Sequence, residues 1–252
     1  MSKWKLRRSS EKIIGTLTSA TIYGLDGDQC VFIRPRADFD WILRNEAGAM
    51  NKGGQIECEV EILDRYENEY LEAVRTLVGR DVAAHGVWVE DIPHDAKTEL
   101  HPLDAIVGQL PAGGGLESLI RAAKKEDDAD PKEIGAISVY RIVAGADDSW
   151  VQHPPRSDET RWIQLTVPFP PRPNQKPKKV PPAPVPHGWK PKWQPKFKVR
   201  QAIDMVDLLA DDGEEATLTL RVAPRSYKSG GPGALVMDVA TFWVPMGAGD
   251  IV

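Results

Sequence analysis

The chain has 252 residues, 41% hydrophobic and 27% charged, with a formal net charge of −5. That length accommodates one large domain or two ordinary ones. The mild negative charge gives no general attraction for a nucleic-acid polyanion, and no apolar run is long enough to span a bilayer.

The first residues, MSKWKLRRSSEK, are basic, but no apolar stretch follows them. A secretory signal is therefore not expected, and a cytoplasmic chain is. Residues 13–23, IIGTLTSATIY, are rich in β-branched residues and read as a strand. Gly24 to Asp28 is a turn, because its glycines and aspartates tolerate positive φ. Cys30 to Ile33 is a second strand, stopped by Pro35. Asp38 to Leu43 is read as a short helical turn and Asn51 to Gly54 as a loop. Gln55 to Leu63, QIECEVEIL, alternates strictly. Ile56, Cys58, Val60 and Ile62 face one way and Glu57, Glu59 and Glu61 the other, which predicts a strand with one solvated face. Tyr70 to Val78 has helical spacing and Gly79 ends it. Val82 to Val89 is a fourth strand. Thr98 to Val107 is a fifth, in which Pro102 marks an edge or a bulge. Cys30 and Cys58 fit neither a zinc spacing nor a redox CxxC; in strands they read as buried free thiols.

Three strands, a helix and two strands is the order of an OB barrel, in which closure removes sheet edges. The loops flanking the usual binding face of that fold are here 24–29 and 90–96, and both are acidic. An oligonucleotide face is basic with exposed aromatics, so the charge argues against nucleic acid on the barrel.

The run Trp88-Val89-x-Asp91-x-x-His94, followed by Glu99-Leu100-His101-Pro102, resembles a signature of small bacterial OB-like domains of uncharacterised function. Asp28 to Leu43 and Gly53 to Glu61 are similar to the same group. The resemblance covers residues 13–107. It implies the barrel and a role for the 88–102 hairpin beyond scaffolding, and it brings no activity with it.

Pro111 to Gly115 is the expected domain boundary. A helical stretch, Leu116 to Lys125, and an acidic run, Glu126 to Asp130, follow. Strands are expected at Ile134–Val143, Arg161–Val167, Lys198–Leu209, Ala216–Val222 and Ala234–Val244, which suggests an antiparallel β-sandwich. Residues 168–196 are rich in proline with interspersed Lys and Arg, and read as a polyproline arm. The expected organisation is thus all-β with minor helix: a barrel domain over 1–110, a linker over 111–132, and a sandwich over 133–252 that carries the arm.

Candidate site residues concentrate in the hairpin. Glu99 and His101, two positions apart in a strand, share a face, and His94 lies at the corner before them. Two imidazoles and a carboxylate are a set that can bind catalytic zinc, although the spacing is not that of HExxH. The plainer alternative has Glu99 bonding strand neighbours or loop backbone and His101 packing before Pro102. Asp26, Asp28, Asp91 and Asp95 offer oxygen ligands for Ca²⁺, or are simply solvated loop residues. No phosphate loop and no GxSxG elbow is present. His85, His153 and His187 read as structural. In the arm, Trp189 and Trp193 with Lys190 and Lys192 are candidates for contact with a partner or an anionic surface. The plainer reading is a solvated tether with its two Trp pinned on the chain's own sandwich.

The expectation drawn from these features is a non-enzymatic binding or assembly module without cofactor. It would use Trp88, Asp91, His94, Asp95, Glu99, His101, Asp26 and Asp28 around loops 24–29 and 90–96. Its partner would be a protein or a second copy of the chain. Nucleic acid would be confined to the basic arm, and no membrane is involved. The alternative is a metal-dependent hydrolase holding zinc or another divalent ion with His94, Glu99 and His101.

Overall fold

The computed structural model describes residues 4–23, 28–36, 54–60, 67–93, 96–111, 117, 119–121, 136–146, 161–173, 188–201, 203–210, 215–222 and 233–246. The expected turn at 38–43, His94, Asp95, Asp26, His153 and His187 lie outside them, as do residues 174–187 of the arm and most of the 111–132 linker.

Strands β1 (Trp4–Tyr23), β2 (Asp28–Pro35), β3 (Ile56–Val60), β4 (Asp81–Asp91) and β5 (Lys97–Gln109) form the N-terminal half, with helix α1 (Glu67–Arg75) between β3 and β4. β1 pairs with β2 and β4, and β2 with β3. β5 pairs antiparallel with β4 and parallel with β3, through Glu57↔Glu99 and Cys58↔Leu100. The ring therefore closes as β1-β2-β3-β5-β4-β1, the barrel expected from the element order. β1 serves two neighbours because bulges after Leu6, Arg8 and Leu17 let it bend.

Alternation decides what fills the barrel. Leu17, Val31, Ile33, Ile56, Cys58, Val60, Trp88 and Leu100 point inward and are buried in one cluster. Tyr70, Ala73, Val74 and Leu77, from α1 and the turn after it, join that cluster. Gly79 ends the turn at φ 81°, a conformation that costs glycine little. Its N–H donates to the Leu17 carbonyl at 2.8 Å and ties the helix to the barrel wall. Of the two roles expected for Pro102, the structure shows the bulge. β5 has neighbours on both sides, and its register against β4 shifts on either side of Gly86. A Cβ on Gly86 would lie 2.6 Å from the Pro102 carbonyl oxygen, so the close approach there requires glycine. The His101–Pro102 peptide is cis.

The second half contributes β6 (Ser138–Ala146), β7 (Arg161–Pro168), β8 (Trp189–Gln201), β9 (Ile203–Ala210), β10 (Glu215–Val222) and β11 (Gly233–Pro245). β6 pairs with β5, through Ala105↔Ala144 to Gln109↔Tyr140, so the barrel sheet continues as β5-β6-β11-β8. A three-stranded sheet, β7-β10-β9, packs on one face of it. Ile163, Leu165 and Val167 meet Ile142, Ala144, Leu235 and Met237 in that sandwich core. On the other face, Val139, Val143, Val236 and Ala240 join the barrel core. Burial on both faces explains why β11 reads as a nearly continuous apolar run.

Two expectations for this half are corrected. The single strand expected over 198–209 is two strands, β8 and β9, in different sheets. Residues 189–196 of the expected polyproline arm are in β8 and pair with β11, from Trp189↔Pro245 to Lys196↔Asp238. Pro191 and Pro195 are tolerated because β8 ends the sheet order, and a strand at an edge does not need every N–H. The start of the arm is held as well. The Trp243 Nε1–H donates to the Pro170 carbonyl at 2.7 Å, and the Arg172 guanidinium lies 4.6 Å over the Trp243 ring.

Beneath α1, Arg141 of β6 faces Asp238 of β11 across the ladder. Its Nε donates to Oδ1 at 2.7 Å and its Nη2 to Oδ2 at 2.9 Å, while Nη1 donates to Thr76 Oγ1 at 2.6 Å. Lys198 Nζ adds a contact of 3.1 Å. Burial pushes the Asp238 carboxyl up, but the hydrogen bonds and charges of Arg141 and Lys198 outweigh it and hold the group below the usual range. Among the described residues no helix is long and apolar enough to cross a membrane.

Candidate functional site

Because Ile56, Cys58 and Val60 fill the barrel, the intervening Glu57 and Glu59 face outward. The parallel β3–β5 register sets Glu57 beside Glu99 and carries Glu59 toward His101. The antiparallel β2–β3 register sets Cys30 across from Glu59. One patch of outer wall thus collects Cys30, Glu57, Glu59, Lys97, Glu99 and His101.

Where it is described, the face expected to be solvated is largely covered: Glu59 is half-buried, and Glu61 lies outside the described residues. Glu57 is 7% exposed, Glu99 1% and His101 2%. Val89, fully buried, lies across from Glu99 and keeps that side apolar. Lys97 Nζ is 2.5 Å from Glu57 Oε2 and 2.8 Å from Glu99 Oε1. His101 Nδ1 is 3.0 Å from Glu59 Oε2, and Cys30 Sγ is 3.6 Å from Glu59 Oε1. Glu99 Oε2 has no hydrogen-bond partner among the described residues.

Each titration follows from this arrangement. Burial, the charge of Glu59 and more weakly that of Asp91 push the Glu99 carboxyl up to about 8, against the pull of Lys97. Burial also raises Glu59, but the hydrogen bond and charge of His101, with Lys97 and Cys30, bring it below the ordinary range. Desolvation opposes the Lys97 ammonium, yet Glu57 and Glu99 hold it charged well above the usual lysine range. Burial and the neighbouring glutamates push the thiols of Cys30 and Cys58 far up, so neither is a thiolate at neutral pH.

The structure brings together Glu99 and His101, which share a face as expected. Asp91 ends β4 beside them, paired with Lys97, and is buried. It does not bring Trp88 to the wall. That ring is in the barrel core, its Nε1–H donates to Thr98 Oγ1 at 3.3 Å, and the Arg8 guanidinium lies 5.3 Å over it. Asp28 opens β2. Trp189 and Trp193 are half-buried against the sandwich core, and Lys190 and Lys192 alternate with them along β8. Burial and the charge of Lys12 push His85 down to about 4, which leaves it neutral.

Glu59 is the participant that the sequence reading passed over. Its ligand atom, with one from Glu99 and one from His101, forms a set lying within 4.8 Å of one another; Cys30, Glu57 and Glu59 form a second such set. The signal was present in the Glu57-x-Glu59 alternation. It becomes meaningful only once β3 is placed parallel to β5. Comparison of the chain with protein-family models, with curated proteins and with solved structures finds no match.

Proposed function

We propose that the chain is a non-enzymatic binding or assembly module. Its barrel would meet a ligand or protein partner on the β3–β5 wall, beside the 90–96 corner. The supporting observation is carboxylate crowding: buried Glu57 and Glu99 and half-buried Glu59 share one patch with Lys97, and the crowding pushes the Glu99 carboxyl up. Ionising Glu99 in so poorly hydrated a place is costly, and a cationic group on the ligand or partner offsets that cost. If the ring is of the OB type, its usual binding surface is the face of the second and third strands between loops 1–2 and 4–5, which this patch borders. The same acidity disfavours a polyanion here.

The test is a thermal-shift and calorimetric series with polyamines and with lysine-rich and arginine-rich peptides. Saturable stabilisation of the wild type, lost in Glu57→Gln/Glu59→Gln, is expected. A wild type that no cation stabilises, organic or metallic, ends this proposal. The convergence of Glu99 with His101 favours one alternative, the metal-dependent hydrolase, with Glu59 added to the expected His94, Glu99 and His101. Turnover of a chromogenic ester or phosphodiester with zinc or manganese, abolished by Glu99→Gln, would decide for the hydrolase.

A further inference from the structure

We propose that Glu59, Glu99 and His101 form a binding site for one divalent transition-metal ion of the zinc class. This rests on the β3–β5 wall being the binding face and names the cation it takes. Three observations carry it. The three side chains offer one nitrogen and two oxygens within 4.8 Å of one another, each from a different residue. Glu99, at 1% exposure, directs an oxygen with no hydrogen-bond partner into the same place. Glu59 and His101 already touch at 3.0 Å, so an ion arriving there replaces their shared proton rather than prising apart a packed wall.

Charge sets the valence. Ligands bind a metal ion deprotonated; in that state Glu57, Glu59 and Glu99 with Lys97 sum to two negative charges beside a neutral imidazole. A divalent ion on Glu59 and Glu99 neutralises that pair, while Lys97 remains with Glu57. A monovalent ion would leave the patch negative. Donor type sets the metal: imidazole with carboxylates suits zinc and its neighbours, whereas calcium and magnesium take oxygen alone. Three protein donors leave a further coordination position for water or for a donor from the partner. Cys30, on the far side of Glu59, touches its other oxygen and is not part of the set.

The experiment uses the full chain, stripped with chelator and titrated with zinc, manganese or magnesium alone against a chromophoric competitor. One zinc per chain is expected, with at least tenfold weaker binding in Glu59→Gln and in His101→Gln and unchanged binding in Cys30→Ser. Magnesium should not compete. Zinc should raise the melting temperature of the wild type and of Cys30→Ser alone among these proteins. Should the glutamine variants fail to fold, X-ray absorption of the zinc-loaded wild type replaces them. Oxygen donors with one imidazole are expected, and a sulfur shell overturns the site. Absence of saturable zinc uptake, or uptake indifferent to Glu59 and His101, also overturns it. In either case, stabilisation by an organic cation would leave the broader binding role standing.

Discussion

Around Asp238, one buried carboxylate is gripped by Arg141 through two hydrogen bonds and approached by Lys198. Around Glu99, two carboxylates share Lys97, and a third, Glu59, lies against His101. Both groups are shielded from water, yet the first is held ionised and the second has its central carboxyl pushed toward neutrality. The contrast shows that burial does not by itself determine how a carboxylate behaves; the ratio of cations to anions around it does. A cluster with its charges matched is a clamp, here locking β6, β11 and the end of α1. A cluster left short of positive charge has capacity for another cation.

The largest way to break the contrast is to unmatch the matched cluster. Asp238→Ala leaves Arg141 buried without its carboxylate and should cost about 3–5 kcal/mol of unfolding free energy, read from urea denaturation. Next in size is Glu99→Gln in metal-free protein. Glu99 has a folded pKa above its unfolded one, so the folded state binds the extra proton. Stability therefore falls as pH rises from the ordinary carboxylate range through about 8, with burial, Glu59 and Asp91 opposing ionisation and Lys97 favouring it. The variant should lack that decline and exceed the wild type by at least roughly 2 kcal/mol at pH 9, with little difference at pH 4. Asp238 has the opposite sign. Its pKa is depressed, so its contribution is present at neutral pH and lost on acidification. The smallest effect sharpens the comparison. Asp204 is bonded by both Arg200 and Arg221, but in the open. Asp204→Asn should change stability by less than about 1 kcal/mol, because water already screens such pairs. A larger loss would mean that pairing alone, without burial, produces the Asp238 behaviour.

Much of the barrel was legible from the sequence. The β-branched run of β1, the alternation of β3 and the glycine after α1 are local signals, and each carries its own geometry. What alternation does not carry is whether the outward face is covered, and so Glu57 and Glu59 read as solvated. The β3–β5 pairing that joins Glu59 to His101 spans the helix and a further strand and has no local marker. The arm misled for the reverse reason. Proline composition is a strong local cue, yet Pro191 and Pro195 lie on an edge strand where a missing N–H costs nothing. The break between β8 and β9 has no glycine or proline to announce it.

Strand β5 has one end in the β3–β4 ring and the other laddered to β6, while α1 and the two faces of β6 and β11 draw on both halves for their neighbours. A backbone nick anywhere between residues 111 and 136 therefore leaves two pieces clasped along that strand. Produced apart, the pieces would be complementing fragments, each with a raw apolar side that only the other can cover.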